Sequence, residues 1–350
     1  MQLISPLCGI KPNNNFQYYI DDHLVFCKND NNINSNSIND RTSFVKSNFS
    51  KNLLYRDNQE CYYACRITTR SNSHIGLIAK VDLRYIEKNI FRHEQCIESK
   101  QEQYTNCFNL HKFQINPVIL IHEYKLEIDQ FLKNLVSNNP TQIILKSQDT
   151  TYEIWTIDVI KSVQKHYDSL DKLMIADGHH RISSILDTKK HHFSSAFLIS
   201  ANQMNSKNIF RKYKNLNSYK LNEYLNYLQK TFIMQEVKNI HTIKKFNYTK
   251  VFINRKWYKL ITNEKNAGKN NLLNYLNDNI NYDESGNINF MNHPITLGHI
   301  CESITFNTSS DLSIIIPAHE FKEISKPSCY PPHSTWLEPK LPDGLISFAF

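Results

Sequence analysis

The chain has 350 residues, 40% of them apolar and 12% aromatic, enough for a substantial core and for two domains or one elaborated domain. That composition excludes an intrinsically disordered chain, and no apolar run is long enough to cross a bilayer as a helix; ILIHEY and LSIIIP are strand-sized. The net charge of +8 raises nucleic acid as a partner, yet the basic stretches KKFNYTK and FRKYK are short and mixed with aromatics and Asn, so a solvated face fits them better.

The N-terminal stretch MQLISPLCGIKPNNN has neither a basic leader nor a long apolar segment, so a cytoplasmic chain with no membrane partner is expected. Residues 1–80 alternate short apolar pieces (YYIDDHLVFC, CYYACRITT, HIGLIAKVDL) with polar stretches, the pattern of strands and hairpins. NDNNINSNSIND between them reads as a disordered or poorly packed loop. Lys100–Leu110 places Tyr104, Cys107 and Phe108 at helical spacing, and NPVILIHEY is a buried strand. KLEIDQFLKNLV is an amphipathic helix expected to turn Leu126, Ile128, Phe131, Leu132 and Leu135 inward. TQIILKS and YEIWTID are strands, and IKSVQKHYDSL is a helix. HHFSSAFLISAN is the next strand. Further on, KLNEYLNYLQKTF and NLLNYLNDNI are helices, while KKFNYTKVFIN, RKWYKLIT and DLSIIIPA are strands. Strands and helices alternate without clean βαβ repeats, so the expected class is α+β (mixed α/β) with a mixed sheet. Eight cysteines are scattered, only Cys61 and Cys65 lying close, which favours free thiols over a zinc site.

Residues 172–186, KLMIADGHHRISSIL, hold the densest chemistry. Leu173–Ala176 is a short buried-strand signal, and Ile182, Ile185 and Leu186 recur at helical spacing. Asp177-Gly178 is a turn dipeptide, and glycine gives the backbone the freedom to reverse there. His179, His180 and Arg181 then fall in a first helical turn, where free N–H groups and the dipole favour an anion. Arg181 adds a bidentate fork suited to phosphate. The competing reading makes Asp177 a simple N-cap. Zinc fits poorly, because adjacent histidines point apart and no further Cys or His follows at ligand spacing.

IADGHHR (175–181) resembles the signature of the DUF1015 family. Two further blocks are similar to that family in the same order: NIFRHEQCIESKQEQY (89–104) and CYPPHSTWLEPKLPDGLIS (329–347). The match runs from about Val81 to the C-terminus, with the first 80 residues divergent. Ile182 stands where the family has an aromatic, and His333 where it has a lysine. The resemblance implies a ParB/sulfiredoxin-like nucleotide-binding core over 81–205, a divergent β-rich segment at 1–80, and a C-terminal α+β part over 206–350 that packs on the core and contributes 329–347. It also implies the chemistry of a related branch of free-serine kinases, transfer of phosphate from a nucleotide to L-serine.

On that resemblance Gly178, His179, Arg181 and Ser183 hold the phosphates of ATP, ADP or another nucleotide. Glu94, Asp177 and His180 form the catalytic set, with Glu94 as base and Asp177 as a ligand for Mg²⁺. Arg92, His93, Lys100, Ser334, Thr335 and Lys340 line the site or meet the small-molecule substrate. The alternative functions are a ParB-like nucleotide-binding regulatory or DNA-associated protein, and a catalytically degenerate paralogue that binds ligand without turnover. No helix-turn-helix block or concentrated basic patch supports the DNA reading.

Overall fold

In a computed structural model, the described residues are 3–15, 17–21, 24–27, 37–139, 141–147, 149–158, 160–213, 216–237, 248–261, 265–279, 291–294, 312–319, 324 and 330–350. They divide into two units: 1–204 with 339–350, and 205–338.

The first unit is organised by one mixed sheet. Its strands lie in the order Ile143–Lys146, Thr150–Ile157, Tyr62–Thr69, Ser73–Asp82, Phe193–Ser200, Val118–His122, Leu173–Asp177, Ile90–Phe91. Only two neighbouring pairs are parallel, Val118–His122 with Phe193–Ser200 and Leu173–Asp177 with Ile90–Phe91. Val118–His122 is buried at every position, so its sequence is a continuous apolar run with no alternation. Among the described residues of this unit are the α-helices α1 (Ile38–Ser50), α2 (Glu98–His111), α3 (Leu126–Asn138), α4 (Ile160–Tyr167) and α5 (His179–Asp187). Phe108 of α2, Ile128 and Leu132 of α3, Val163 of α4, and Ile182 and Ile185 of α5 join Leu77, Val118, Leu120, Ile175 and Leu198 of the sheet in one core.

Two expectations change here. The polar run NDNNINSNSIND ends inside a helix, because Ser37 caps α1 by accepting from the Asp40 amide at 3.1 Å; residues 28–36 lie outside the described residues. Leu126 is 53% exposed, not inward. Two residues along a helix turn about 200°, so Leu126 and the buried Ile128 cannot share a face.

The second unit holds an antiparallel sheet in the order Ile233–Glu236, Lys256–Ile261, Lys250–Ile253, Leu312–Ile316, Ile209–Tyr213, Met291–Pro294. Helices α6 (Ser218–Thr231) and α7 (Lys265–Asn279) supply Leu221, Tyr224, Leu228, Leu272, Leu273 and Leu276 to its core. The start of KKFNYTKVFIN and the first residue of DLSIIIPA lie outside the described residues.

Candidate functional site

The strand Leu173–Asp177 carries a register shift against its antiparallel neighbour. Ile119 pairs with Asp177 while Leu120 pairs with Ile175, which leaves Ala176 as an extra residue. Such a bulge bends a strand and re-aims its side chains. Gly178 follows at φ +99° and is the N-cap residue of α5, with no side-chain cap. A Cβ on Gly178 would stand 2.6 Å from Val118 Cγ1, so both the backbone angle and the packing require glycine. The helix then begins with the Ile182 amide donating to the Gly178 carbonyl at 3.0 Å. The amides of its first turn have no partner within the helix.

Asp177 is not the cap. Its Oδ2 accepts from Arg181 Nη2 at 2.5 Å and its Oδ1 from Lys340 Nζ at 3.3 Å. Burial raises the Asp177 pKa, but Lys340 and Arg181 outweigh it and hold the carboxyl far below the usual range, hence ionised. The other nitrogen of Arg181, Nη1, donates to the carbonyls of Asn116 and Pro117, both at 3.0 Å, and to Asn116 Oδ1 at 2.5 Å. Both terminal nitrogens of the fork assigned to phosphate are thus engaged by the protein. Arg181 rivets the signature turn to the start of the central strand.

His93 and His179 are buried and His180 is half-buried, and all three have lowered pKa values that favour the neutral ring. His93 is fully buried, its Nδ1 donating to the Ile175 carbonyl at 2.7 Å, and burial lowers its pKa. Its ring meets that of His179 edge to face at 4.6 Å. His179 is also buried and its pKa lies well below 6.5, first through burial and then through His93. Its Nε2 has no hydrogen-bond partner among the described residues. His180 Nε2 accepts from the Ile97 amide at 2.9 Å, and burial brings its pKa down to about 3. His180 thereby ties α5 to the segment that leads into α2.

Glu94 reaches the same place by topology. The strand Ile90–Phe91 runs parallel to Leu173–Asp177, so the chain leaving it travels beside the end of the signature strand. Glu94 Oε1 lies 4.0 Å from His93 Nε2, and the Glu94 side chain is 11% exposed. Lys100, on the first turn of α2, is subject to the charges of Asp177, Lys340, Arg181 and Glu94, and its pKa is lowered chiefly by burial. Arg92 raises the positive potential at His179. Glu94, Arg92, His93, Lys100, Asp177, His179, His180, Arg181 and Lys340 therefore form one cluster in the first unit.

Ser183 is buried on α5 with its Oγ against Cys96 Sγ at 3.2 Å. Ser334 and Thr335 belong to the second unit, where Ser334 is buried. Sequence reasoning missed Asn116, Pro117 and Asp343. Asp343 accepts from Arg41 at 3.2 Å, and burial raises its pKa against the lowering effect of Arg41 and Arg181. The Pro-Asp-Gly run at 342–344 is the turn signal in the sequence that could have pointed to it.

Mg²⁺ does not suit the residues present. Both oxygens of Asp177 face cations, and among the described residues no three His, Cys, Asp or Glu side chains converge as a ligand set. The assignment of Asp177 as a magnesium ligand fails for that reason. No described helix is long and apolar enough to cross a membrane.

A family model described as a protein of unknown function, DUF1015, matches residues 23–281. The chain belongs to the DUF1015 family. The DUF1015 match takes in most of the N-terminal segment that looked divergent, and it stops before the C-terminal block at 329–347. No curated protein matches the chain. Among solved structures the chain is similar to a conserved hypothetical protein from Pyrococcus furiosus, at TM-score 0.48 and 12% identity, over 76% of this chain and 93% of that one. It is similar to SbnI with a C-terminal truncation from Staphylococcus aureus, at TM-score 0.44 and 13% identity, over 75% and 82%. It is also similar to a free serine kinase in complex with AMP, at TM-score 0.47 and 13% identity, over 78% and 90%.

Proposed function

We propose that this DUF1015 protein binds a nucleotide, ATP or ADP, with its phosphates at the uncapped start of α5, and transfers a phosphoryl group to the hydroxyl of a small metabolite, L-serine giving O-phosphoserine. The observation that carries this reading is the gathering of Lys100, Arg181 and Lys340 around a helix N-terminus that no side chain caps. Amides and dipole favour an anion there, and the added cations make phosphate the natural guest.

Phosphoryl transfer needs position and charge neutralisation more than covalent help from the protein. In this reading Glu94 accepts the proton of the acceptor hydroxyl as its oxygen attacks the terminal phosphorus, and the bond from that phosphorus to the nucleotide's leaving oxygen breaks. Lys100 and Lys340 neutralise the charge on the transferred group, and His179 Nε2 completes its contacts. Asp177, His180 and Arg181 act through position: they fix the turn that presents the amides.

The test uses the full chain with ATP or ADP and L-serine, followed by phosphorus NMR. O-phosphoserine is expected with the native chain. Glu94→Gln should keep nucleotide binding and lose transfer by about a hundredfold, because the amide keeps the shape without accepting the proton. Native protein that binds neither nucleotide ends the proposal.

A further inference from the structure

The charges of this cluster also fix the form in which a phosphate ligand enters. Resting on the reading above, we infer that the site takes its phosphate ligand as the free anion, neutralised by Lys100 and Lys340 of the chain in the place of a divalent cation.

Mg²⁺ binds carboxylate oxygen directly at about 2.0–2.1 Å in near-octahedral geometry. At Asp177 that approach is taken: Arg181 Nη2 sits 2.5 Å from Oδ2 and Lys340 Nζ 3.3 Å from Oδ1. An arriving metal ion would have to expel Lys340 and then sit beside Arg181 and Lys100. Asp343 is already paired with Arg41 at 3.2 Å. Glu94 stands in the same field, since the charges acting on Lys100 include both Glu94 and Lys340. Cations thus outnumber the carboxylates left to bind one, and the local potential draws anions. In this reading Lys340 does for the phosphate what a metal does elsewhere: it bridges a fixed carboxylate and the ligand.

Lys340 is held for that role by a well-tied strap. The Gly344 amide donates to the Ile115 carbonyl at 2.8 Å, and Ser347 and Ile10 exchange backbone hydrogen bonds at 2.7 and 2.8 Å. Phe348–Ala349 pairs antiparallel with Phe113–Gln114. The segment therefore delivers its ammonium to Asp177 from fixed backbone, with the Lys340 side chain 32% exposed.

The experiment is calorimetric titration of ADP into the full chain, once with excess EDTA and once with excess Mg²⁺. The native chain should bind ADP with affinities equal within about twofold in the two conditions. Lys340→Gln should weaken binding in EDTA by about tenfold or more, the size of one charge-assisted contact, and regain part of it with Mg²⁺. Lys340→Arg should bind in EDTA nearly as the native chain does, which separates loss of charge from loss of fold. Native binding that appears only with Mg²⁺ overturns this inference and leaves the phosphate site standing. No binding of ADP in either condition, nor of ATP in the same titrations, overturns both.

Discussion

Arg181 and Asp177 face each other across a single turn, Nη2 to Oδ2 at 2.5 Å, although the aspartate belongs to the strand and the arginine to the helix. The same guanidinium holds Asn116 and Pro117, so one side chain clamps three pieces of chain at the point where they meet. Arg181→Ala leaves the Asp177 carboxylate with one of its two cations and the Asn116 and Pro117 carbonyls short of a donor. The expected cost is about 3 kcal/mol of folding stability, measured by urea denaturation. Arg181→Lys should recover only part of it, because an ammonium cannot reproduce the planar fork. Loss of ligand binding in these variants with unchanged stability would contradict the clamp and return Arg181 to direct phosphate contact.

Gly178 sits at φ +99° with Val118 Cγ1 2.6 Å from where a Cβ would lie. Gly178→Ala should cost about 2 kcal/mol or more, from strain and overpacking together. Adding Val118→Ala removes the clash and leaves the strain, so the double variant should lose less than the two single losses added. Strict additivity in denaturation midpoints would show that the two residues do not meet.

Much of this turn was legible because the sequence changes period there: a continuous apolar run gives way, across Asp-Gly, to apolar residues at helical spacing. The bulge at Ala176 was not, since a strand buried on both faces has no alternation for a slipped register to disturb. Nor were Asn116 and Pro117, which contact Arg181 from 65 and 64 positions away, through backbone carbonyls that any residue carries and through one side-chain oxygen of Asn116. Helix α1 was hidden by its polarity: its stability rests on the Ser37 cap and on a few buried residues such as Phe44 and Val45. Glu94 was placed by its resemblance block, and the parallel strand Ile90–Phe91 is the physical reason it arrives.

Lys11, outside the candidate site, is 1% exposed and carries a charge the fold must satisfy. Its Nζ lies 2.8 Å from Asp57 Oδ2 and donates to Thr156 Oγ1 at 2.6 Å, while Tyr63 donates to the same Asp57 oxygen at 2.5 Å. Removing one member of such a buried pair strands the other. Lys11→Ala should therefore destabilise by about 3 kcal/mol, and Lys11→Ala with Asp57→Ala by less than the two single losses added, measured as a double-mutant cycle. A coupling energy near zero would make Lys11 a spectator.

Three histidines with lowered pKa values give the first unit a predictable response to acid. His93, His179 and His180 all have folded-state pKa values below the ordinary 6.5, in each case first through burial, and His180 reaches about 3. Below pH 6.5 the unfolded chain takes up protons at these positions ahead of the native chain. The unfolded state binds more protons, so stability rises with pH through this window and falls as pH drops from about 6.5 toward 3. Each such histidine contributes at most about 1.4 kcal/mol per pH unit between its two pKa values. Asp177 acts in the same direction: its carboxyl stays ionised in the native state, so as pH falls through the ordinary carboxylate pKa of 3.8 the unfolded chain takes up a proton that the native chain does not, and the contribution is lost progressively from there. Urea denaturation at pH 7 and pH 5 should show a loss of several kcal/mol at the lower value. His180→Asn, which keeps a short polar side chain near the Ile97 amide and removes the titrating group, should be less stable at pH 7 yet show a shallower decline. A native chain equally stable at both pH values would mean that these rings are reached by solvent and charge freely in the folded state.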